Sequence, residues 1–289
     1  MTNPSIPSPQ SEGLPGLNIM IIGASGVGKT YSIHDIVDYG FETFCLMTES
    51  GLESLLGYWT DRNLPIPANL HWHQVRATNL GFKEMISSAK DVNQLTFEML
   101  LKKPDTNKGK FTAFIDLLTA LSDFKDDRTG QSFGAVDDWG PDRWLCLDSL
   151  TGINTFAMQN TIGGKSVRDQ KDWSMAQVQV ENLLRMLADG CKCHFLLLGH
   201  TEREVDPVNG GVKIMASTLG KALAPKLPAM FSEVILAEKA GDKWQWVTNS
   251  PMADTKSRYL STGIHPQSFK PLIEKWISRG GKFTPPISS

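Results

Sequence analysis

No run of about 18 consecutive apolar residues occurs in the chain, so no membrane-spanning helix is expected. Cysteine is scarce. Of the four, Cys45 and Cys146 sit inside apolar runs, where a thiol acts as a small hydrophobe. Cys191 and Cys193 have the wrong spacing for a zinc knuckle, and there is no second pair to complete one. A disulfide framework is therefore not expected, and a reducing, cytoplasmic setting is. A surplus of one charge is also missing: the formal net charge is −2, so nothing global advertises nucleic acid, although a local basic patch is compatible with that balance. Residues 1–16 lack both a basic start and an apolar centre, which argues against a secretory leader. Their Pro, Ser and Gly content suggests a flexible tail, and 279–289 reads the same way. No repeat of the solenoid kind is found.

What is present is an alternation of short apolar runs with helical patterns, in a chain of 289 residues. That length suits one α/β domain with insertions or two small domains. The runs at 17–22, 43–47, 70–75, 144–147, 194–198 and 233–237 predict strands buried on both faces of a mostly parallel sheet flanked by helices. Trp173, Ala176, Val180, Leu183, Leu184 and Leu187 recur at three- and four-residue steps, which predicts a helix that Gly190 stops. Phe111, Phe114, Ile115, Leu118, Leu121 and Phe124 predict a second. The stretch 93–141 exceeds a usual crossover; its second half is turn-rich and polar and reads as an insertion.

The chemistry begins at 23–30, GASGVGKT, where an apolar strand ends. Glycines at Gly23, Gly26 and Gly28 let the backbone curl so that successive N–H groups face phosphates, and a helix starting near Lys29 adds its positive end. Gly23, Ala24, Ser25, Gly26, Val27, Gly28, Lys29, Thr30 and Tyr31 are the expected nucleotide contacts. Lys29 would hold the β- and γ-phosphates, and the Thr30 hydroxyl would ligate Mg²⁺. Such a loop needs a second carboxylate at a neighbouring strand end, and the run 144–149, WLCLDS, supplies Asp148. A group that activates water is needed too. Glu49 follows the run 43–47 at the same sheet edge, where it could instead cap the next helix. His200 stands at the tip of the run 194–198, a place from which a side chain could sense the γ-phosphate. Lys256 and Arg258 would share one side of an extended segment, because strand side chains alternate.

Together these pieces resemble the RecA-like ATPases, in particular the branch that contains RadA, KaiC and the DnaB-type helicases. The motifs are GASGVGKT, TES at 48–50, LDS at 147–149, GHTERE at 199–204 and TKSR at 255–258, in the family's order across 17–278. The resemblance implies a RecA-like domain over 17–278 with a C-terminal antiparallel extension, and ATP and Mg²⁺ as cofactors. It makes Glu49 the catalytic base, His200 a sensor, and Lys256 and Arg258 fingers that reach a neighbouring subunit's γ-phosphate in a ring or filament. RATNLGFK at 76–83 has no acid where RecA itself places its glutamate, which leaves the base role to Glu49.

The compact size and DWSMAQVQVENLLRML at 172–187 are most similar to the small RecA-like ATPases of bacteriophages, several of which assist single-strand annealing and recombination. The resemblance then implies single-stranded DNA as partner, host cytoplasm as location, and a single-strand binding or annealing protein as a companion. It also implies two DNA-facing loops at 160–171 and 202–213, carrying Lys165, Arg168, Lys171, Arg203 and Lys213. A nucleotide-switched assembly of the KaiC kind, needing no DNA, would share every ATP residue.

Overall fold

The computed structural model describes residues 13–103, 108–165, 167–205, 210–220 and 222–283. In chain order the elements are β1 Asn18–Gly23, α1 His34–Tyr39, β2 Glu42–Met47, α2 Leu52–Thr60, β3 Leu70–Gln74, α3 Phe82–Gln94, α4 Phe97–Lys102, α5 Ala113–Ser122 and β4 Arg143–Asp148. They continue with α6 Leu150–Ile162, α7 Gln170–Arg185, β5 His194–Gly199, β6 Thr201–Val205, β7 Val212–Ala216, α8 Leu227–Met230, β8 Glu233–Ala240, β9 Lys243–Val247, β10 Ile264–Pro266 and α9 Lys270–Ser278. Among the described residues one eight-stranded sheet runs β10-β9-β8-β1-β5-β4-β2-β3, and β6 and β7 form a separate antiparallel hairpin. From β8 to β3 all pairs are parallel, while β9 and β10 extend the sheet antiparallel. This is the expected α/β architecture, a mostly parallel sheet flanked by helices with a C-terminal antiparallel extension.

Each of the six expected strands appears, because each central strand buries both faces. Met20, Ile22, Leu145, Leu147, Phe195 and Leu197 join one core with α5, α6 and α7. Their neighbours Ile19, Ile21, Trp144, Cys146, Leu196 and Leu198 join the other with α1, α2 and α9. Alternation along a strand makes this partition automatic.

Two expectations about helices change. On α5 the buried stripe is Ala113, Phe114, Leu117, Ala120 and Leu121, whereas Ile115 is 54% and Leu118 42% exposed. The helix is rotated toward its small Ala positions, which let it lie closely on α6. After the phosphate loop the helix begins at Tyr31 rather than Lys29, as a single 3₁₀ turn over Tyr31–Ile33 that leads into α1.

The turn-rich half of the 93–141 segment is pinned to the sheet edge. The Asp127 N–H donates to Trp72 O at 2.8 Å, and buried Asp126 accepts from the Trp72 N–H and the Thr129 hydroxyl. The segment thereby covers the otherwise open edge of β3. The ends of the described chain are also packed. Trp276 Nε1 donates to Pro15 O at 2.8 Å, and Phe283 stacks on Phe41 at 3.8 Å. The tails expected over 1–16 and 279–289 therefore do not include 13–16 or 279–283; residues 1–12 and 284–289 lie outside the described residues.

His194 gives the fold a pH dependence. It is wholly buried, stacked on Trp144 with centroids 4.4 Å apart. Its Nδ1 accepts from the Leu17 N–H at 2.8 Å and its Nε2 donates to Pro141 O at 3.0 Å, which fixes the neutral tautomer. Burial pushes its pKa down to about 3. The unfolded chain takes up this proton below about pH 6.5 and the folded chain does not, so stability is lost as pH falls through that window. The expected loss is about 1.4 kcal/mol per pH unit from this group. Urea unfolding at neutral pH and near pH 4.5 should show that slope in the native chain and a correspondingly shallower one in His194→Gln.

Candidate functional site

β1, β2, β4 and β5 all deliver their C-terminal ends to one edge of the sheet, where a polar cavity of about 580 Å³ opens. Lys29, Thr30, Tyr31, Glu49, Asp148 and His200 line it together. The sequence separates these residues by up to 171 positions; parallel strand order reunites them.

The phosphate loop leaves β1 at Gly23 and turns through Gly26 at φ 77° and Gly28 at φ 81°, a conformation that side chains rarely adopt. At Gly28 space forbids a side chain as well, since an added Cβ would meet Trp244 at 2.7 Å and Gln267 at 2.8 Å. Gln267 Nε2 donates to Val27 O at 2.7 Å and so tethers the loop to the C-terminal part of the chain.

Lys29 is 7% exposed, and its ammonium donates to Gly23 O at 2.8 Å and Ala24 O at 2.7 Å. Burial lowers its pKa, while the charges of Asp148 and Glu49 oppose that shift. The Thr30 hydroxyl donates to Asp148 Oδ2 at 2.6 Å. Burial raises the Asp148 pKa, against the Thr30 hydrogen bond and the positive charge of Lys29. A buried carboxylate and a buried ammonium thus converge beside a hydroxyl, and for both charges burial outweighs the compensation their neighbours give. Additional charge from a polyphosphate and a cation would complete the balance.

Thr30 and Asp148 together offer the hard oxygen donors that Mg²⁺ prefers. Among the described residues no group of three or more His, Cys, Asp or Glu is placed to hold a metal. A cation here would therefore complete its shell with phosphate oxygens and water, which is how Mg²⁺ is commonly held beside a nucleotide. The residues fit an Mg²⁺–nucleotide.

Glu49 is half-buried on the segment between β2 and α2, and His200 Nε2 lies 3.3 Å from its Oε2. The backbone around them is locked by a residue that pattern reading did not single out. Thr48 Oγ1 donates to Ser149 O and accepts from the Ser149 N–H, both at 2.8 Å, and the Thr48 N–H donates to Asp148 O at 2.6 Å. This clasp joins the ends of β2 and β4 and sets Glu49 beside Asp148. Gly152 makes the clasp possible, because a Cβ there would come within 2.2 Å of Thr48 Oγ1. Trp244, from β9, was also missed. It borders the cavity, 39% exposed, with its ring edge-on to Tyr31 at 5.2 Å.

Lys256 and Arg258 stand outside this cavity. Lys256 exchanges two backbone hydrogen bonds with Val234, at 2.8 and 2.9 Å, an isolated antiparallel bridge to β8, and the chain bends from Arg258 onward instead of continuing as the expected extended segment. Buried Glu233 accepts from the Ser257 hydroxyl and, at 2.7 Å, from the Arg258 N–H, which anchors the segment by its backbone. The Arg258 side chain is left exposed.

Of the two expected loops, 160–171 is shorter than anticipated. α6 continues to Ile162, and Asp169 caps α7, accepting from the Lys171 N–H at 2.6 Å. Lys171 is therefore in the first helical turn. Arg168 lies over the Trp173 ring, 5.2 Å from its centroid. Most of the 202–213 stretch belongs to a hairpin of β6 and β7 rather than a loop, because Thr201–Val205 pairs antiparallel with Val212–Ala216. Arg203 is exposed on β6, Lys213 is bound by Asp254 at 2.7 Å, and residues 206–209, including Asp206, lie outside the described residues. Among the described residues no helix is long and apolar enough to cross a membrane.

A family model described as an AAA domain matches residues 16–259 of the chain. No curated protein matches it.

Proposed function

The chain belongs to the AAA-domain family and is a nucleotide-binding P-loop ATPase, and from that premise we propose that it is an oligomeric, RecA-like enzyme that couples Mg²⁺–ATP turnover to single-stranded DNA in phage-type recombination, annealing or replication. In this reading the main-chain N–H groups of 24–30 and the Lys29 ammonium bind the phosphates. Thr30 and Asp148 would hold the cation, which would supply positive charge against that of the phosphates. Glu49 takes a proton from the attacking water, and Lys256 and Arg258 serve a neighbour's site. Trp244 and Tyr31 offer aromatic surface to the nucleotide.

The observation that carries the coupling is the His200–Glu49 pair. His200 immediately precedes β6, so one residue joins the proposed base to the hairpin bearing Arg203. A strand that shifts the hairpin would change how Glu49 is held, which gives DNA a physical route to the rate. The KaiC-like assembly reading retains one supporting observation: Lys213, expected to meet DNA, is engaged by Asp254.

The test is ATP hydrolysis by the purified chain with and without single-stranded DNA, with Lys29→Ala as the blank. Stimulation that disappears in the blank is the expected result. Hydrolysis indifferent to DNA would transfer the reading to the assembly switch. Replacing Lys165 and Arg168 together by Ala should weaken DNA binding, with a shallower salt dependence, and spare basal turnover.

A further inference from the structure

Arg258 shares an open groove, of about 610 Å³, with the exposed face of α9. Lys275 and Arg279 stand there four residues apart at the helix's C-terminal end, so their charges share one face and repel. Arg279 is held over the Tyr259 ring, 4.7 Å from its centroid. Among the described residues neither cation has an ion pair; Glu274, the acid that lines the groove, lies 3.9 Å from Lys270. The start of α9 is fastened to α1, the helix that follows the phosphate loop. There Asp35 accepts from the Ser268 hydroxyl and the Phe269 N–H, both at 2.6 Å. The groove therefore keeps a fixed place relative to the phosphate cavity of its own chain.

The mouth of that cavity carries the opposite sign. One face of α2 lines it, with Glu53, Gly57 and Asp61 at four-residue steps. Both carboxylates are exposed and enter no ion pair among the described residues; the pair within the cavity is His200 with Glu49. These acids work against the ligand the cavity is built for, because a polyphosphate at Lys29 adds negative charge beside them. Nor does Asp61 serve its own helix. It is the C-cap of α2, the end at which a negative charge opposes the helix dipole. Gly57 leaves the middle of this face without a side chain, so another surface can approach it closely.

We propose that the α9 groove docks on a second copy of this chain, with Lys275 and Arg279 meeting Glu53 and Asp61 at the mouth of the neighbour's phosphate cavity. The proposal rests on the reading of the chain as an oligomer in which Arg258 serves a neighbour, and it names the surfaces that join the subunits. Each face supplies the charge the other lacks. The dimensions agree: Glu53 and Asp61 are about 12 Å apart along α2, Lys275 and Arg279 about 6 Å along α9. The long stems of lysine and arginine span the difference. Docking in this way turns the groove that holds Arg258 toward the neighbour's phosphates. The two faces are different patches of one chain, so the contact is head-to-tail and repeats into a ring or a filament.

The experiment is sedimentation velocity of the full chain with a non-hydrolysable ATP analogue. Two variants reverse one face each: Lys275→Glu with Arg279→Glu, and Glu53→Lys with Asp61→Lys. Each should assemble about a hundredfold more weakly than the native chain, because like charges set against each other across an interface are strongly disfavoured. Mixing the two variants should restore assembly, since each reversed face then finds its opposite on the other protein. All four positions are exposed, and thermal melts and titration with the analogue confirm that both variants fold and bind nucleotide. Native-strength assembly by both variants would overturn the docking pair and leave an oligomer built on another interface. Weakened assembly that mixing does not restore would overturn the pairing of these two faces. A native chain that stays monomeric with the analogue would overturn the oligomer reading and the proposal with it.

Discussion

Glu49→Gln protein is expected to bind ATP as tightly as the native chain and to turn it over about 10²–10⁴-fold more slowly, the usual contribution of a positioned general base. The substitution keeps volume and hydrogen-bonding reach while removing the basic oxygen. The expectation of intact binding follows from the division of labour in the cavity. Phosphate affinity is assigned to Lys29 and the loop amides, and cation affinity to Thr30 and Asp148, which are joined at 2.6 Å. Glu49 takes part in neither contact; its carboxylate pairs with His200, at 3.3 Å. Isothermal titration with ATP and single-turnover hydrolysis separate the two quantities. An unchanged rate would remove Glu49 from the chemistry and leave it as a partner of His200, whereas lost binding would mean that its charge holds the Lys29 ammonium in place.

The order of the motifs along the chain made the phosphate loop, Asp148, Glu49 and His200 readable before any coordinates, for a physical reason. In a parallel sheet, any polar residue that follows an apolar strand arrives at the same edge as every other. Local pattern therefore implies three-dimensional neighbourhood. The six strands were readable because burial on both faces writes itself as an uninterrupted apolar run. The α5 stripe was misjudged because alanine carries little hydrophobic signal, although Ala113 and Ala120 mark the packed face. Gly152, Gln267 and Trp244 had no local signature, and Thr48 entered only as the first residue of TES. Each acts through contacts with residues far away in sequence, such as Gln267 with Val27 across 240 positions.

The position of Arg258 carries the second large expectation. Its segment is fastened to β8 through Val234 and the buried Glu233 carboxylate, while its side chain is exposed and borders a groove that is separate from the chain's own phosphate cavity. An arginine held by its backbone and free at its tip suits donation to another molecule. If it completes a neighbour's site, Arg258→Ala should lower turnover about a thousandfold, the lower end of what a finger supplies. Lys29→Ala should be equally inactive, for a defect on the opposite side of the interface. Mixing the two inactive proteins then becomes decisive. A head-to-tail interface pairs one chain's phosphate loop with the next chain's finger. In a random equimolar mixture about a quarter of interfaces combine an intact loop with an intact finger, so roughly a quarter of native activity should return. A finger acting within its own chain could never be rescued in this way. Activity that stays absent after subunit exchange would confine Arg258 to its own subunit or remove it from catalysis, and unimpaired turnover by Arg258→Ala alone would end the finger assignment.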